Sequence, residues 1–372
     1  MTLAMKNEML RPLKILYVDS DIPWRGGQEQ LFSLMQGLKT RGHNITVATP
    51  SSSTLKQKAQ EVDISTIPFQ QSFELSPLAL TRLWKILYKK TFDIIHSNTP
   101  TEVFAAGLAS KLCGTPIRIT SRRVNFPLKS ALSRLKYNWS QEQIVTVSTS
   151  IQTTLLRCGI YPEKIKVIYE GVDTNWIDIQ NPSPIKTKHD LIIGTVAHMS
   201  SEKGHSILLK AAAELIPQFP NIAFVLVGDG KLASKLSQKA AQLGLGNNII
   251  FTGFRSDSES LMKNFDIFCL PSLSEGLSSA ILVAMANRLP VVATNVGGIT
   301  ELVVDKQTGF LVGPKQPSDL ASALSKLIQS PNLRKQMGNM GRKRVEKNFT
   351  LKNKLDQTER LYYQLLASTN FG

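Results

Sequence analysis

Cysteine is scarce in this chain, three residues in 372, at Cys113, Cys158 and Cys269. They are odd in number, lie within apolar stretches and lack the short paired spacings of a metal site or a disulfide framework. They read as reduced core thiols of a cytoplasmic protein. Histidine is nearly as rare, five residues in unrelated contexts, and no metal centre is expected. No apolar run reaches the ~18 residues of a membrane span, and residues 1–11 lack the apolar core of a secretory signal. The chain is therefore expected to be soluble or peripheral to a membrane. Low-complexity tracts and the G-x-G-x-x-G dinucleotide fingerprint are missing too. Acids are in deficit, 28 Asp+Glu against 44 Lys+Arg, for a net charge of +16. The excess leans to the first half: residues 1–170 hold 22 basic and 12 acidic side chains (+10), and the remainder hold 22 and 16 (+6). Such a charge attracts polyanions of any kind. Without a nucleic-acid module or aromatic residues interleaved with basic ones, nucleic acid is not the expected partner.

What is present is alternation. The hydrophobic share of 42% supplies material for two cores, and 372 residues exceed the ~250–300 at which a single core stops growing. Lys14-Ile15-Leu16-Tyr17-Val18 reads as a buried strand. A polar loop ending in Gly26-Gly27 follows, then a helix with Leu31, Leu34, Met35 and Leu38 at helical spacing, closed by Gly42, and a strand from Asn44. This is the βαβ opening of a doubly wound unit. Helices over 76–90, 101–113, 128–140 and 149–158 then alternate with strands near 92–96, 117–120, 144–147 and 166–169. Residues 171–188, with Pro182 and Pro184 and no period, read as a linker. The pattern restarts at Leu191 and runs through strands at 222–227, 249–251, 267–270 and 291–293, a short strand near Phe310, and helices over 317–329 and 331–346. The expected organisation is α/β: two Rossmann-like domains, 1–170 and 189–350, facing a cleft. A last helical segment, 351–372, is long enough to cross back to the first domain.

The stretch Phe265 to Ala286 concentrates the chemistry. A buried strand ends in Pro271-Ser272, a polar loop carries Glu275 beside Gly276, and a helix begins near Ser278 and Ser279. Open α/β sheets bind ligands at such strand-to-helix junctions, where free N–H groups face an anion. Lys203, between Glu202 and Gly204, stands at a second junction. A lysine at a helix start opposes the macrodipole unless an anion compensates it.

In order along the chain come Gly26-Gly27-Gln28-Glu29, Gly171-Val172-Asp173, Glu202-Lys203-Gly204, Val227-Gly228-Asp229-Gly230, Phe251-Thr252-Gly253-Phe254-Arg255, Pro271 through Met285, Gly297-Gly298-Ile299-Thr300-Glu301 and Thr308-Gly309-Phe310-Leu311-Val312. This series resembles the family 4 glycosyltransferases of the GT-B fold, retaining enzymes that use nucleotide sugars, among them those of bacterial surface polysaccharide and lipopolysaccharide synthesis. The resemblance implies sugar transfer to a glycan or lipid-linked acceptor, with no cofactor and no metal. It also implies site roles. Lys203, Glu275 and His96 would serve catalysis. Gly26, Gly27, His198, Arg255, Gly276, Leu277 and Ser278 would line the donor site with Lys203 and Glu275. Read from the residues alone, Arg122 and Arg123, after the strand near 117–120, are either a solvated pair or, at a strand end in a cleft, binders of a carboxylate or phosphate of donor or acceptor.

Two positions depart from the family pattern. His198 stands where an arginine partners the lysine, and one imidazole donor replaces a planar fork. Val283 stands where a second carboxylate, eight positions after Glu275, holds the ribose. Losing a hydrogen bond to a charged group costs about 1.5–3 kcal/mol, one to two decades of affinity. The alternative function is accordingly a donor-site-degenerate homologue acting as a binding or assembly subunit. Finally, residues 128–139 are basic and amphipathic, which reads first as a surface helix packed on its sheet; the alternative is that, with 82–90, they dock on anionic membrane at the inner face of a cell.

Overall fold

The computed structural model describes residues 11–71, 73–128 and 130–369. Two wholly parallel sheets follow one another. The first holds β1 (Lys14–Val18), β2 (Asn44–Thr49), β3 (Ser65–Pro68), β4 (Ile94–Ser97), β5 (Ile117–Arg122), β6 (Gln143–Thr146) and β7 (Ile165–Val167), in the order β3-β2-β1-β4-β5-β6-β7. The second holds β8 (Leu191–Val196), β9 (Ile222–Val227), β10 (Ile249–Gly253), β11 (Ile267–Leu270), β12 (Val291–Thr294) and β13 (Gly309–Val312), in the order β10-β9-β8-β11-β12-β13. Parallel strands covered by helices on both faces need apolar side chains on both. β9, Ile-Ala-Phe-Val-Leu-Val, and β11, Ile-Phe-Cys-Leu, are accordingly buried throughout. In each sheet the winding reverses between the first strand and the fourth, at β1/β4 and at β8/β11, which opens a crevice at the strands' carboxyl ends.

Two elements between β2 and β4 have no counterpart in the sequence reading. Helix Thr54–Glu61 and edge strand β3 fill residues 54–68. β3 is half-exposed and ends in Pro68, as an edge strand tolerates, so no apolar run announces it. The linker contains a helix, Thr174–Ile179, whose second and third N–H groups, those of Asn175 and Trp176, donate to the Asp173 carboxylate.

The two crossings between the sheets lie side by side. Val172 N donates to Phe349 O (3.0 Å), and Leu351 N donates to Val172 O (2.9 Å). Gly171 is obligatory at this hinge, since a Cβ there would stand 2.4 Å from Thr350 O. Helix Leu351–Thr369 then returns to the first sheet, as the sequence suggested. Leu355, Leu361 and Tyr362 join the core formed by Tyr17, Leu34 and Leu38. The hydroxyls of Tyr17 and Tyr362 are 2.8 Å apart, and Arg41 bonds Asp356 and Glu359, each at 2.6 Å. Among the described residues no helix is long and apolar enough to cross a membrane.

Candidate active site

The two crevices face one another, and the halves touch through backbone. A Cβ on Gly26, at the start of helix Gly26–Thr40, would stand 2.6 Å from Ser279 Oγ, and one on Gly276 would stand 1.9 Å from Arg123 O. Any side chain at Gly276 would force the halves apart. Gly27 lies against the Arg123 side chain, its hypothetical Cβ 3.6 Å from Arg123 Cδ.

Lys203 and Glu275 meet in this region. Lys203 closes the turn Ser201–Lys203 after β8, and Gly204 (φ +68°) starts helix His205–Leu215. Only glycine fits there, because the conformation is left-handed and a Cβ would lie 1.9 Å from Pro271 O. This contact, with Leu273 N donating to Glu202 O at 2.7 Å, locks the β8 loop onto the β11 loop. Lys203 Nζ consequently reaches both carboxylate oxygens of Glu275, at 2.7 and 3.0 Å, and Ser272 Oγ donates to the same carboxylate at 3.1 Å. The pair is 22% and 9% exposed, so it stays within reach of a ligand. Beyond it, Gly276 and Leu277 lead to Ser278, whose hydroxyl caps helix Ser279–Ala286 by accepting Ile281 N (3.3 Å). The first N–H groups of that helix have no partner within it. A cation, a hydroxyl and free backbone donors around a carboxylate suit a ligand bearing both phosphate and sugar hydroxyls.

Other expected residues are placed differently. His96 was expected to serve catalysis. Instead it is 2% exposed, with Nδ1 held by Tyr362 Oη (2.7 Å) and Nε2 by Ser121 Oγ (2.8 Å). Burial, and then the Arg123 and Lys354 cations, push its pKa down to about 3, so it is a neutral packing group. Arg122 too is engaged within its own unit. It ends β5 at 4% exposure, donating to Tyr137 Oη at 3.0 Å and to Phe126 O. Arg123 borders the cleft through its carbonyl, but its guanidinium is engaged inward by Glu170 (2.7 Å) and Asn98. Arg255 is tied to Asp257 (2.5 and 2.6 Å) and lines a cavity of about 400 Å³ with Thr252, Leu261 and Lys186. His198 is exposed, beside Gly230.

Val283 is 5% exposed and packs in the apolar cluster with Phe268 and Ile281, offering no polar atom. Val283→Glu should lower the melting temperature of the ligand-free protein, because a carboxylate placed there lacks partners. Its upward shift with added nucleoside diphosphate should exceed that of the wild type. A variant with unchanged stability and an unchanged shift would mean that position 283 plays no part in ligand binding.

Sequence reasoning passed over three features. The first is Asp19-Ser20-Asp21, two acids one residue apart at the end of β1, a visible signal. Asp19 accepts from Asn98, from Gln28 Nε2 (3.2 Å) and from Asp21 N (3.0 Å). Neighbouring Glu102 is pushed up to about 7, by burial and then by Asp19. Among the described residues no group of three or more metal-type ligands forms. The second is Glu29 and Glu259, carboxyls from opposite halves that burial pushes up, with the Lys58 cation opposing the rise. Burial and then Glu29 hold Glu259 at about 8. A raised carboxyl pKa contributes stability below its ordinary range and loses it as pH rises through the raised value. The contact between the halves should therefore loosen progressively as pH rises from about 5 to about 8, which small-angle scattering reads as a larger radius of gyration. A pH-independent radius would remove the pair from the contact. The third is Glu301, treated below.

The family description "Glycosyl transferases group 1" matches residues 177–344, and "Glycosyltransferase Family 4" matches residues 24–176. An Escherichia coli UDP-Gal:alpha-D-GlcNAc-diphosphoundecaprenol alpha-1,3-galactosyltransferase is 25% identical over 78% of this chain and 80% of its own length. The Staphylococcus aureus capsular polysaccharide biosynthesis glycosyltransferase CapM is 23% identical over 98% and 99%. Among solved structures, Anabaena HepE in complex with UDP and glucose superposes with a TM-score of 0.84 at 23% identity, covering 94% of this chain and 99% of that one. A glycosyltransferase from Rickettsia africae gives 0.82 at 25% identity, with 96% and 99% covered. With both halves matched in order, and with two Rossmann-like sheets meeting at their switch points, this chain belongs to the family 4 glycosyltransferases of the GT-B fold.

Proposed function

We propose that this glycosyltransferase moves a sugar from a nucleotide-sugar donor to a glycan or lipid-linked acceptor in bacterial surface-polysaccharide assembly, with retention at the anomeric carbon. One observation carries the reading: Lys203 and Glu275 converge at the ends of β8 and β11, next to the start of helix Ser279–Ala286, whose first N–H groups Ser278 leaves open. In this role the ammonium and backbone N–H groups take up charge developing on the departing diphosphate. Glu275 orients the sugar hydroxyls, and contact between the halves excludes water. Retention follows when the acceptor hydroxyl attacks the face the diphosphate leaves, with that diphosphate accepting the proton. UDP-sugars are the first donors to test, since a relative and a structural neighbour are named with UDP or a UDP-sugar. An assay of UDP-, GDP- and ADP-sugars with prenyl-diphosphate-linked acceptors should give turnover with one nucleotide, and NMR should find the donor's anomeric configuration in the product. A panel with nucleotide binding but no turnover would favour the degenerate, subunit-like reading.

An acceptor held in a membrane fits one face of the first unit. Leu78, Trp84 and Tyr88 on helix Pro77–Lys89, Leu112 on helix Val103–Leu112, and Leu135 and Trp139 on helix Ala131–Ser140 are exposed. Trp84 stacks on Tyr88, and Lys111 lies 3.9 Å over the Trp139 ring. Arg82, Lys85, Lys89 and Lys90 surround them. Lys136, expected on this surface, is instead buried against Glu74 (2.5 Å) and Pro100 O (3.2 Å), and Lys129 lies outside the described residues. Aromatic side chains among cations suit an anionic bilayer interface. The protein should float with phosphatidylglycerol vesicles and not with neutral ones, and Trp84→Ser with Trp139→Ser should abolish flotation. Equal recovery with both vesicle types would refute the membrane reading.

A further inference from the structure

Glu301 belongs to the second unit, yet its carboxylate is spent on the first. It lies in the short helix Ile299–Leu302, while helix Thr149–Arg157 follows β6 in the other sheet. Glu301 Oε2 accepts the N–H of Thr149 at 2.8 Å, and Oε1 accepts that of Ser150 at 2.9 Å. Every helix begins with N–H groups that lack intrahelical partners. Here Ser148 Oγ takes only the third of them, that of Ile151, at 3.3 Å. The first two are satisfied across the interface, by an anion at the positive end of the helix. Tyr169 Oη, beside the hinge, donates to the same carboxylate at 2.9 Å. The main chain around the glutamate is pinned as well, since Arg344 donates to Glu301 O and Leu302 O, each at 2.8 Å.

The short helix is coupled to the candidate site. Gly297 (φ +52°) and Gly298 precede it, and hypothetical Cβ atoms on them would lie 1.9 Å from Glu275 O and 2.0 Å from Gly276 O. Gly298 N donates to Glu275 O at 3.3 Å. The loop that holds Glu275 therefore rests on the glycine pair, the pair leads into Glu301, and Glu301 docks on the first unit. Gly276 in turn abuts Arg123 O. A shift of Glu301 along helix Thr149–Arg157 would carry Glu275 with it.

We infer that Glu301 is a positioning residue, a carboxylate lent by the donor-side unit to cap a helix of the acceptor-side unit and so set the register in which the Glu275–Gly276 loop meets Arg123. Nucleotide binding draws on Lys203, Glu275 and their loop, all within one unit, and does not need this register. Transfer needs groups from both units and does.

The test compares Glu301→Ala and Glu301→Gln with Ser148→Ala, which weakens the start of the same helix from inside its own unit. For each protein the UDP affinity, kcat, melting temperature and radius of gyration are measured. Glu301→Ala should lower kcat by about 10- to 100-fold, since displacements near 1 Å cost rates of this order, and enlarge the ligand-free radius. Its UDP Kd should stay within about threefold, the pattern of an interaction made only on the way to the transition state. Glu301→Gln, which keeps the shape and one acceptor oxygen, should fall between this variant and the wild type. It also keeps the test decisive should the alanine variant fold poorly. Ser148→Ala should lose melting temperature with little change in kcat or radius. A Glu301 variant with unchanged radius, and a kcat loss no greater than that of Ser148→Ala, would overturn the inference. The inference rests on the donor reading for its kinetic arm only. Failure of the wild type to bind any nucleotide would refute that reading, while the radius comparison would still decide the role of Glu301.

Discussion

Lys203→Ala is expected to lose turnover by about 10²–10³-fold, the range seen when a single preorganised stabiliser of developing charge is removed. Two effects combine. The ammonium 2.7 Å from Glu275 would no longer meet the charge of a departing diphosphate. Glu275, only 9% exposed, would keep Ser272 Oγ (3.1 Å) and lose its counter-ion, so the loop it orders would loosen. Lys203→Arg should rescue part of the rate, because charge is restored while a planar fork replaces a compact point charge. Steady-state kinetics at saturating donor, with melting temperatures measured alongside, separate chemistry from folding. A folded Lys203→Ala enzyme within tenfold of wild-type kcat would remove this lysine from the reaction.

The second large effect concerns stability. Glu170 directly precedes the hinge, is 3% exposed, and is paired with Lys354 and, at 2.7 Å, with Arg123. Lys354 comes from the returning C-terminal helix and also donates to Gln30 O (2.8 Å) and Gln30 Oε1 (2.9 Å). Removing one partner of a buried pair leaves an uncompensated charge and costs about 3–5 kcal/mol. Glu170→Ala should therefore unfold far earlier in urea, whereas Glu170→Gln combined with Lys354→Met should recover much of the loss. Burial alone would raise the Glu170 pKa, but Lys354 and Arg123 outweigh it and hold the carboxyl below its ordinary value. A lowered carboxyl pKa contributes stability above the unfolded value and loses it as pH falls through the folded one. The wild type should thus weaken in acid more steeply than Glu170→Gln. Parallel acid profiles, or a urea midpoint unmoved by Glu170→Ala, would show that the pair does not brace the hinge.

Much of the architecture was legible because burial on both faces writes strands such as β9 and β11 as unbroken apolar runs, and glycines mark the turns between elements. Edge strand β3 carries no such signature and went unseen. In the site, the meeting of Lys203 and Glu275 as an ion pair was not foreseen, though each could be assigned to one crevice from the sequence because each follows a switch-point strand. His96 and Arg122 misled for the same reason. A strand end can point to the cleft or into the layer behind it, and which occurs depends on partners far away in sequence, here Tyr362 and Tyr137. The capping of one unit's helix by Glu301, and the Glu29–Glu259 contact, lie further out of reach. Neither has a periodic or local signal, and each exists only once the two halves come together.

Calorimetric titration of UDP, UDP-sugars and their GDP and ADP counterparts into the wild type and Lys203→Ala tests the proposed site most directly. At least one nucleotide should bind the wild type saturably at a single site, and the variant should bind it at least about tenfold more weakly, as loss of a charge-assisted contact implies. Binding of equal strength in both proteins, or no heat from any nucleotide, would contradict a donor site built on Lys203 and Glu275.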